Sequence, residues 1–123
     1  MAVDFKVVLE DRPGTFADLL EPLGKAGVNV EGICGFPSEG WGVIHFFVDD
    51  PTAGRAALVG AGIEIVEERE VLVVPLSDRP GEGGAMARRL AEAGVNVNLV
   101  YLATGNRAVI GADDMDRARS VLG

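Results

Sequence analysis

The chain repeats itself, and that constrains its fold more than any other feature. Asp11-Arg12-Pro13-Gly14 recurs as Asp78-Arg79-Pro80-Gly81, an offset of 67 residues. At the same offset Ala26-Gly27-Val28-Asn29-Val30 recurs as Ala93-Gly94-Val95-Asn96-Val97, and Val7, Leu9 and Leu23 recur as Val74, Leu76 and Leu90. These twelve identities in register, without a gap, are too many for chance. After a slip of three residues the match resumes, with Asp49-Asp50 against Asp113-Asp114 and Leu58 against Leu122. A repeat of this length is one folding unit used twice. The expected division is residues 1–67 and residues 68–123.

Each copy has the same hydrophobic pattern. Phe5, Val7 and Leu9 alternate with Lys6 and Glu10, the period of a half-buried strand. Pro13-Gly14 then reverses the chain. Phe16, Leu19/Leu20, Leu23 and Ala26 follow at helical spacing, and Gly27 ends the helix. Thr15 with Asp18 resembles a capping box. Strands are predicted over Val28–Phe36 and Trp41–Val48 around a Pro37–Gly40 turn, then a helix over Ala53–Gly62 and a strand over Ile63–Val66. The second copy reads as a Glu70–Leu76 strand, a Gly83–Ala93 helix, Val95–Ala103 and Arg107–Ala112 strands, and a Met115–Leu122 helix. The fold class is therefore α+β: two ferredoxin-like βαββαβ modules with antiparallel sheets and both helices on one face, the second module lacking its last strand. That leaves the first strand of the second copy with an edge that must be covered or shared.

Charge narrows the functions. Eleven basic residues face nineteen acidic ones, a net charge of −8, and the pI is about 4.5. A polyanion needs a basic footprint, so nucleic acid is not expected as a partner, nor is an anionic membrane surface. Phe46, Phe47 and Tyr101 sit on strands, but without basic surroundings they make no RNA-stacking platform. The first residues carry neither a basic nor a long apolar leader, and no apolar stretch reaches the ~20 residues of a membrane span. With Cys34 the only cysteine, no disulfide within the chain and no Cys-rich zinc site can form. A cytoplasmic protein without cofactors is expected.

A module of this pattern, with Asp-Arg-Pro-Gly after its first strand and Gly-Val-Asn-Val at its second, resembles an ACT domain, and the resemblance extends over nearly the whole chain as a tandem pair. It implies a free-standing regulatory protein that binds a free amino acid or similar metabolite at an interface between modules. The site residues it implies are Asp11, Arg12, Pro13, Gly14 and Thr15 with Asn29 and Val30 in the first copy. In the second they are Asp78, Arg79, Pro80, Gly81, Glu82 and Gly83 with Asn96 and Val97. Serine-sensing relatives tend to carry Asn at the positions of Asp11 and Asp78 and His at those of Leu9 and Leu76, so serine is not implied.

The chemistry suits a zwitterion. A helix N-terminus offers free backbone N–H groups and a positive dipole end to a carboxylate. Asp11 or Asp78 can accept from an ammonium, and Asn29 or Asn96 can donate and accept. The competing explanation is that Asp-Arg-Pro-Gly is only a turn, its Asp bonded to the backbone, and that the Asn residues only satisfy backbone groups. Gly81-Glu82-Gly83-Gly84 is not a phosphate loop, because Met86 stands where the last glycine is required and no Walker lysine follows. Gly83 and Gly84 replace Phe16 and Ala17, so the second helix start is expected to be roomier and uncapped, and it is the favoured site.

The remaining candidates are weaker. His45 reads as a structural histidine, Cys34 as a packed thiol, Trp41 as an anchor of its turn, and Glu67-Glu68 as a solvated charge run. Apolar residues on both sheet faces, with Val71/Val73, Val100/Leu102 and Val43/Phe47 opposite Leu72/Val74, Leu99/Tyr101 and Ile44/Phe46, point to a second buried face. A homodimer or sheet packing between modules is expected to cover it. The leading function is a non-enzymatic regulator that acts on a protein partner. The alternative is an adaptor that dimerises or docks without a ligand. A single His and a single Cys make an enzyme the weakest reading.

Overall fold

Alternation and turn chemistry set the elements of the computed structural model, which describes residues 2–123. Strand β1 (Ala2–Glu10) leads through Asp11–Gly14 into helix α1 (Thr15–Lys25), then β2 (Val30–Ser38), β3 (Trp41–Val48) and helix α2 (Pro51–Gly60). Strand β4 (Glu67–Pro75), helix α3 (Glu82–Glu92), β5 (Val97–Ala103), β6 (Arg107–Ala112) and helix α4 (Met115–Leu122) follow. Two compact units result: residues 3–69, and residues 70–123 together with Ala2. Among the described residues no helix is long and apolar enough to cross a membrane.

In the first unit β3 is central, antiparallel to β1 and β2. Phe5 stands opposite Phe46 and Val7 opposite Ile44, so these four share a face. Leu19 and Leu23 of α1 and Leu58 of α2 close over that face, and all seven are buried in one core. The Phe5 and Phe46 rings lie 5.5 Å apart, tilted by 38°, within the range where aromatic pairs add to simple burial. Gly54 of α2 is buried, and a Cβ there would meet Val48 Cγ2 at 3.1 Å, so the absence of a side chain lets α2 approach the sheet.

The second unit repeats this plan, with β6 central between β4 and β5. Val74, Ala108, Ile110 and Ala112 form its core with Leu90 of α3 and Ala118 of α4. Both long helices end on a left-handed glycine. Gly27 has φ 74° and Gly94 has φ 73°. The next N–H, of Val28 or Val95, returns to Leu23 or Leu90 at 2.9 Å, a closure that satisfies a terminal carbonyl.

Several expectations are corrected. Ile63–Val66 is not a strand; one continuous strand begins at Glu67 and runs to Pro75. Ile63 and Ile65 still pack on the first core, and Val66 donates one bond to the Lys6 carbonyl at 2.8 Å. A single bond places the segment beside the sheet without making a ladder. Glu68 is not merely solvated, since its carboxylate pairs with Arg55 through Nε at 2.9 Å.

The expected faces of β5 are inverted. Val100 stands opposite Ile110, and Ile110 opposite Leu72. Val100 and Leu102 therefore share the helix-side face with Leu72 and Val74, whereas Tyr101 pairs with Val109 and Val109 with Val73. The register slips between Val97 and Leu99, and one extra residue in a strand reverses every side chain beyond it. In the second unit the face away from the helices is apolar, and Val71, Val109 and Tyr101 are buried there; in the first unit Phe47 is buried on the corresponding face.

Candidate ligand-binding site

The two Asp-Arg-Pro-Gly segments build the same loop. Each ends on a glycine in the left-handed region, Gly14 at φ 96° and Gly81 at φ 92°, which is the N-cap residue of its helix. A side chain is strained in that conformation, so glycine is required. The first intrahelical bonds are Asp18 N–H to Gly14 O and Ala85 N–H to Gly81 O, both 2.9 Å. Neither N-cap bonds through a side chain, so the first-turn N–H groups point out of the helix with its positive end, except that the Glu82 N–H donates to Arg79 O at 3.3 Å. The capping box expected of Thr15 is absent. Its hydroxyl bonds back to the carbonyls of Glu10 at 2.8 Å and Arg12 at 3.1 Å, which ties the loop closed. The second helix start is no less capped than the first; what distinguishes it is space, because a Cβ on Gly83 or Gly84 would meet nothing within 4 Å.

The arginines are held by neighbours. Arg12 Nε lies 2.7 Å from Glu10 Oε2, and Arg79 Nη2 lies 2.8 Å from Glu82 Oε1. The hydrogen bond that Arg12 donates to Glu10 pushes the Arg12 pKa further up. Asp11 and Asp78 are exposed. Among the described residues neither carboxylate takes part in a hydrogen bond or ion pair. The turn does not consume them, and both remain available to a cation or N–H donor.

A cleft adjoins each loop. In the first unit it measures about 240 Å³ and runs from Asp11, Arg12, Thr15 and Phe16 to Phe36, Pro37 and Gly42. In the second it measures about 200 Å³ and is lined by Ser77, Asp78, Arg79, Gly83, Leu102, Asn106 and Arg107, among others. The far wall in both comes from the β-hairpin, through Phe36, Pro37 and Gly42 in the first and Leu102, Ala103, Asn106 and Arg107 in the second. Sequence reasoning missed this wall. Thr104-Gly105-Asn106 was readable as a turn, but only the register shows that Asn106 returns to the Leu76 backbone, whose N–H donates to Asn106 O at 2.7 Å.

The rest of the expected set lies elsewhere. Val30 pairs with Val48 at one end of β2 and Ser38 with Trp41 at the other. Asn29 is at the Val48 end, where its N–H donates to Asp49 Oδ1 at 3.0 Å. Asp11 follows Glu10, which pairs with Trp41. A nine-residue strand at ~3.3 Å per residue puts those ends roughly 25–30 Å apart. One small ligand therefore cannot touch both residues within a unit. Asn96 is similarly remote from Asp78, and its Nδ2 donates to Asp113 Oδ2 at 3.0 Å. Val30 and Val97 pack against the two cores. Pro13, Pro80, Gly14 and Gly81 shape the loops but do not line the clefts. Glu82 faces a separate hollow of about 280 Å³ beside Met86 and Leu122.

His45 is structural in its contacts: Nδ1 lies 2.7 Å from Oδ2 of Asp4, a carboxylate only 1% exposed. Cys34 stands opposite His45 on β2 and is partly buried. Among the described residues no group of three His, Cys, Asp or Glu could hold a metal.

The family model of the ACT domain matches residues 3–59, which lie within the first unit. No curated protein matches the sequence. Among solved structures, a Bacteroides thetaiotaomicron protein covers 98% of this chain and 85% of its own, at 24% identity and a TM-score of 0.86. The ligand-free regulatory subunit of aspartate kinase from Thermus thermophilus covers 98% and 87%, at 21% identity and a TM-score of 0.73. Its counterpart from Thermus flavus covers 98% and 89%, at 22% identity and a TM-score of 0.64. The match to the ACT-domain model is thus confined to residues 3–59, and the chain has the α+β, antiparallel fold of those structures.

Proposed function

We propose that this chain is a non-catalytic regulatory protein that binds a free amino acid at the strand–helix loop of each repeat. The observation that carries the reading is the pairing, twice over, of an unbonded carboxylate with an open helix N-terminus beside a cleft of amino-acid size. Asp11 or Asp78 accepts from the ammonium, and the first-turn N–H groups donate to the carboxylate. Arg12 and Arg79 add positive charge held in place by Glu10 and Glu82. Residues 1–67 and 68–123 act as two ACT modules in tandem, in a cytoplasmic homodimer. Because Asn29 and Asn96 lie at the far sheet ends from their own loops, their part in the site is to meet a loop across an interface between modules. Val30 and Val97 support them there. Regulation follows if the ligand favours one conformation or assembly over another. The likeness to aspartate kinase regulatory subunits supports a regulatory role, exercised on a protein partner.

The test is thermal unfolding against each of the twenty amino acids at millimolar concentration. A ligand at 100 times its dissociation constant stabilises the fold by about 2.7 kcal/mol, a shift of several degrees. A selective shift that disappears in the Asp11→Ala/Asp78→Ala double variant is the expected result. No shift with any amino acid overturns the reading and leaves the chain as a ligand-independent adaptor.

A further inference from the structure

The two clefts occupy equivalent places in the repeat, yet they no longer offer the same chemistry. Leu9/Leu76, Asp11/Asp78 and Arg12/Arg79 are common to both. Around that shared frame the lining has diverged. Phe16, Phe36 and Gly42 in the first cleft correspond to Gly83, Ala103 and Asn106 in the second. Phe16 and Phe36 are 48% and 47% exposed, two rings with much of their surface still open to a neighbour. In the second cleft the rings are gone. Gly83 and Ala103 stand in their place, and beside Leu102 the second cleft presents the Ser77 hydroxyl, where the first has Glu10, and the Asn106 side chain, where the first has Gly42; neither is bonded among the described residues.

We propose that the two clefts select different ligands: the one beside α1 takes an amino acid with an apolar side chain, and the one beside α3 takes an amino acid whose side chain forms hydrogen bonds. The proposal rests on the amino-acid-binding reading above and adds selectivity to it. Shared loops bind the common ammonium and carboxylate, and the diverged walls read what differs. An apolar side chain in the first cleft buries its surface against Phe16 and Phe36. In the second it strips water from Ser77 and Asn106 without replacing the lost hydrogen bonds, and unpaired polar groups discriminate strongly. A polar side chain against the two rings suffers the converse penalty.

Isothermal titration of the full chain with leucine and with asparagine tests this, using Gly83→Phe and Phe16→Ala. Gly83→Phe puts into α3 the ring that α1 carries, at a position where an added Cβ meets nothing within 4 Å. It should weaken asparagine at least tenfold and leave leucine within twofold. Phe16→Ala, at a half-exposed position, should do the reverse. Amide shifts of the unmodified protein provide a second readout that no folding defect can disturb: asparagine should move Asp78–Gly84, and leucine Asp11–Ala17. One probe that moves both loops alike, or a substitution that weakens both probes equally, overturns the proposal while the amino-acid reading stands. If none of the twenty amino acids moves either loop, the reading and the proposal fall together.

Discussion

Substituting alanine for Gly81 should destabilise the protein, whereas the same substitution two or three residues later should stabilise it. Gly81 has φ 92° and ψ −15° at the N-cap of α3. The space around it is open, with nothing within 4 Å of an added Cβ, so the penalty comes from the backbone alone. An L-residue held in the left-handed region loses about 1–2 kcal/mol. Gly83 and Gly84 lie inside the helix without positive φ, and a Cβ on either meets no atom within 4 Å. Alanine there restricts the unfolded chain and adds helix propensity, worth about 0.5 kcal/mol at each site in a first turn. The two kinds of variant should differ by about 1.5–2.5 kcal/mol. At this chain length, that corresponds to roughly 5–12 °C between their melting temperatures. Ligand-free protein followed by circular dichroism, with urea titration as a check on slope, measures it. A neutral Gly81→Ala would refute the left-handed cap and the loop geometry built on it. A destabilising Gly83→Ala would show that the start of α3 is filled or that its backbone is not helical.

Four further outcomes follow from individual contacts. Leu58 is fully buried and the adjacent Val59 is 65% exposed, so Leu58→Ala should cost about 2–5 kcal/mol and Val59→Ala less than ~0.5 kcal/mol by denaturant titration. Asp114 caps α4 by accepting from Arg117 N–H at 3.0 Å, and Asp114→Ala should cost about 1 kcal/mol in the same assay. Thr15→Ala, which removes no cap, should leave α1 intact by hydrogen exchange while loosening Asp11–Gly14. The hydrogen bond from Arg55 holds the Glu68 carboxyl below its usual pKa. Glu68 therefore favours the folded state above the ordinary carboxylate value, and that contribution is lost as pH falls through its depressed folded value. Carbon-detected titration should show the low midpoint, and Arg55→Gln should return it to the ordinary range.

Local physics made the loops and helices legible. Pro-Gly before a helical run and Gly-Val after it mark where α1 and α3 start and stop, because each uses a backbone conformation that few residues tolerate. Register was less visible. A bulge beside Asn98 inverted the faces of β5, and no hydrophobic pattern within β5 reveals a slip that only its partner strand defines. The helix and strand at the end of the first copy were displaced for a related reason. Asp50 accepts from Ala53 N–H at 3.1 Å and starts α2 at Pro51, earlier than the apolar spacing alone suggested. The residues expected as a fourth strand contribute side chains to the core but only one bond to the sheet.

The candidate site shows the same division between local and distant information. Asp11 and Asp78 were identified from their turns, and their carboxylates stand clear of the turn bonds that would have explained them away. Asn29 and Asn96 came from the same repeat, but repetition along the chain carries no information about distance across the fold. The helix carries the chain back along the sheet, so the next strand runs parallel to the first and begins at the sheet end where the first began. The second motif of each copy is therefore separated from the first by the length of the sheet. The wall opposite each loop is a hairpin that the repeat matches only after its three-residue slip. That is where the two copies differ most: Phe36 and Gly42 in one, Ala103 and Asn106 in the other. Identity between copies preserved the backbone of the loop, which any amino acid would need. Divergence between them concentrated on the side chains that a particular amino acid would meet.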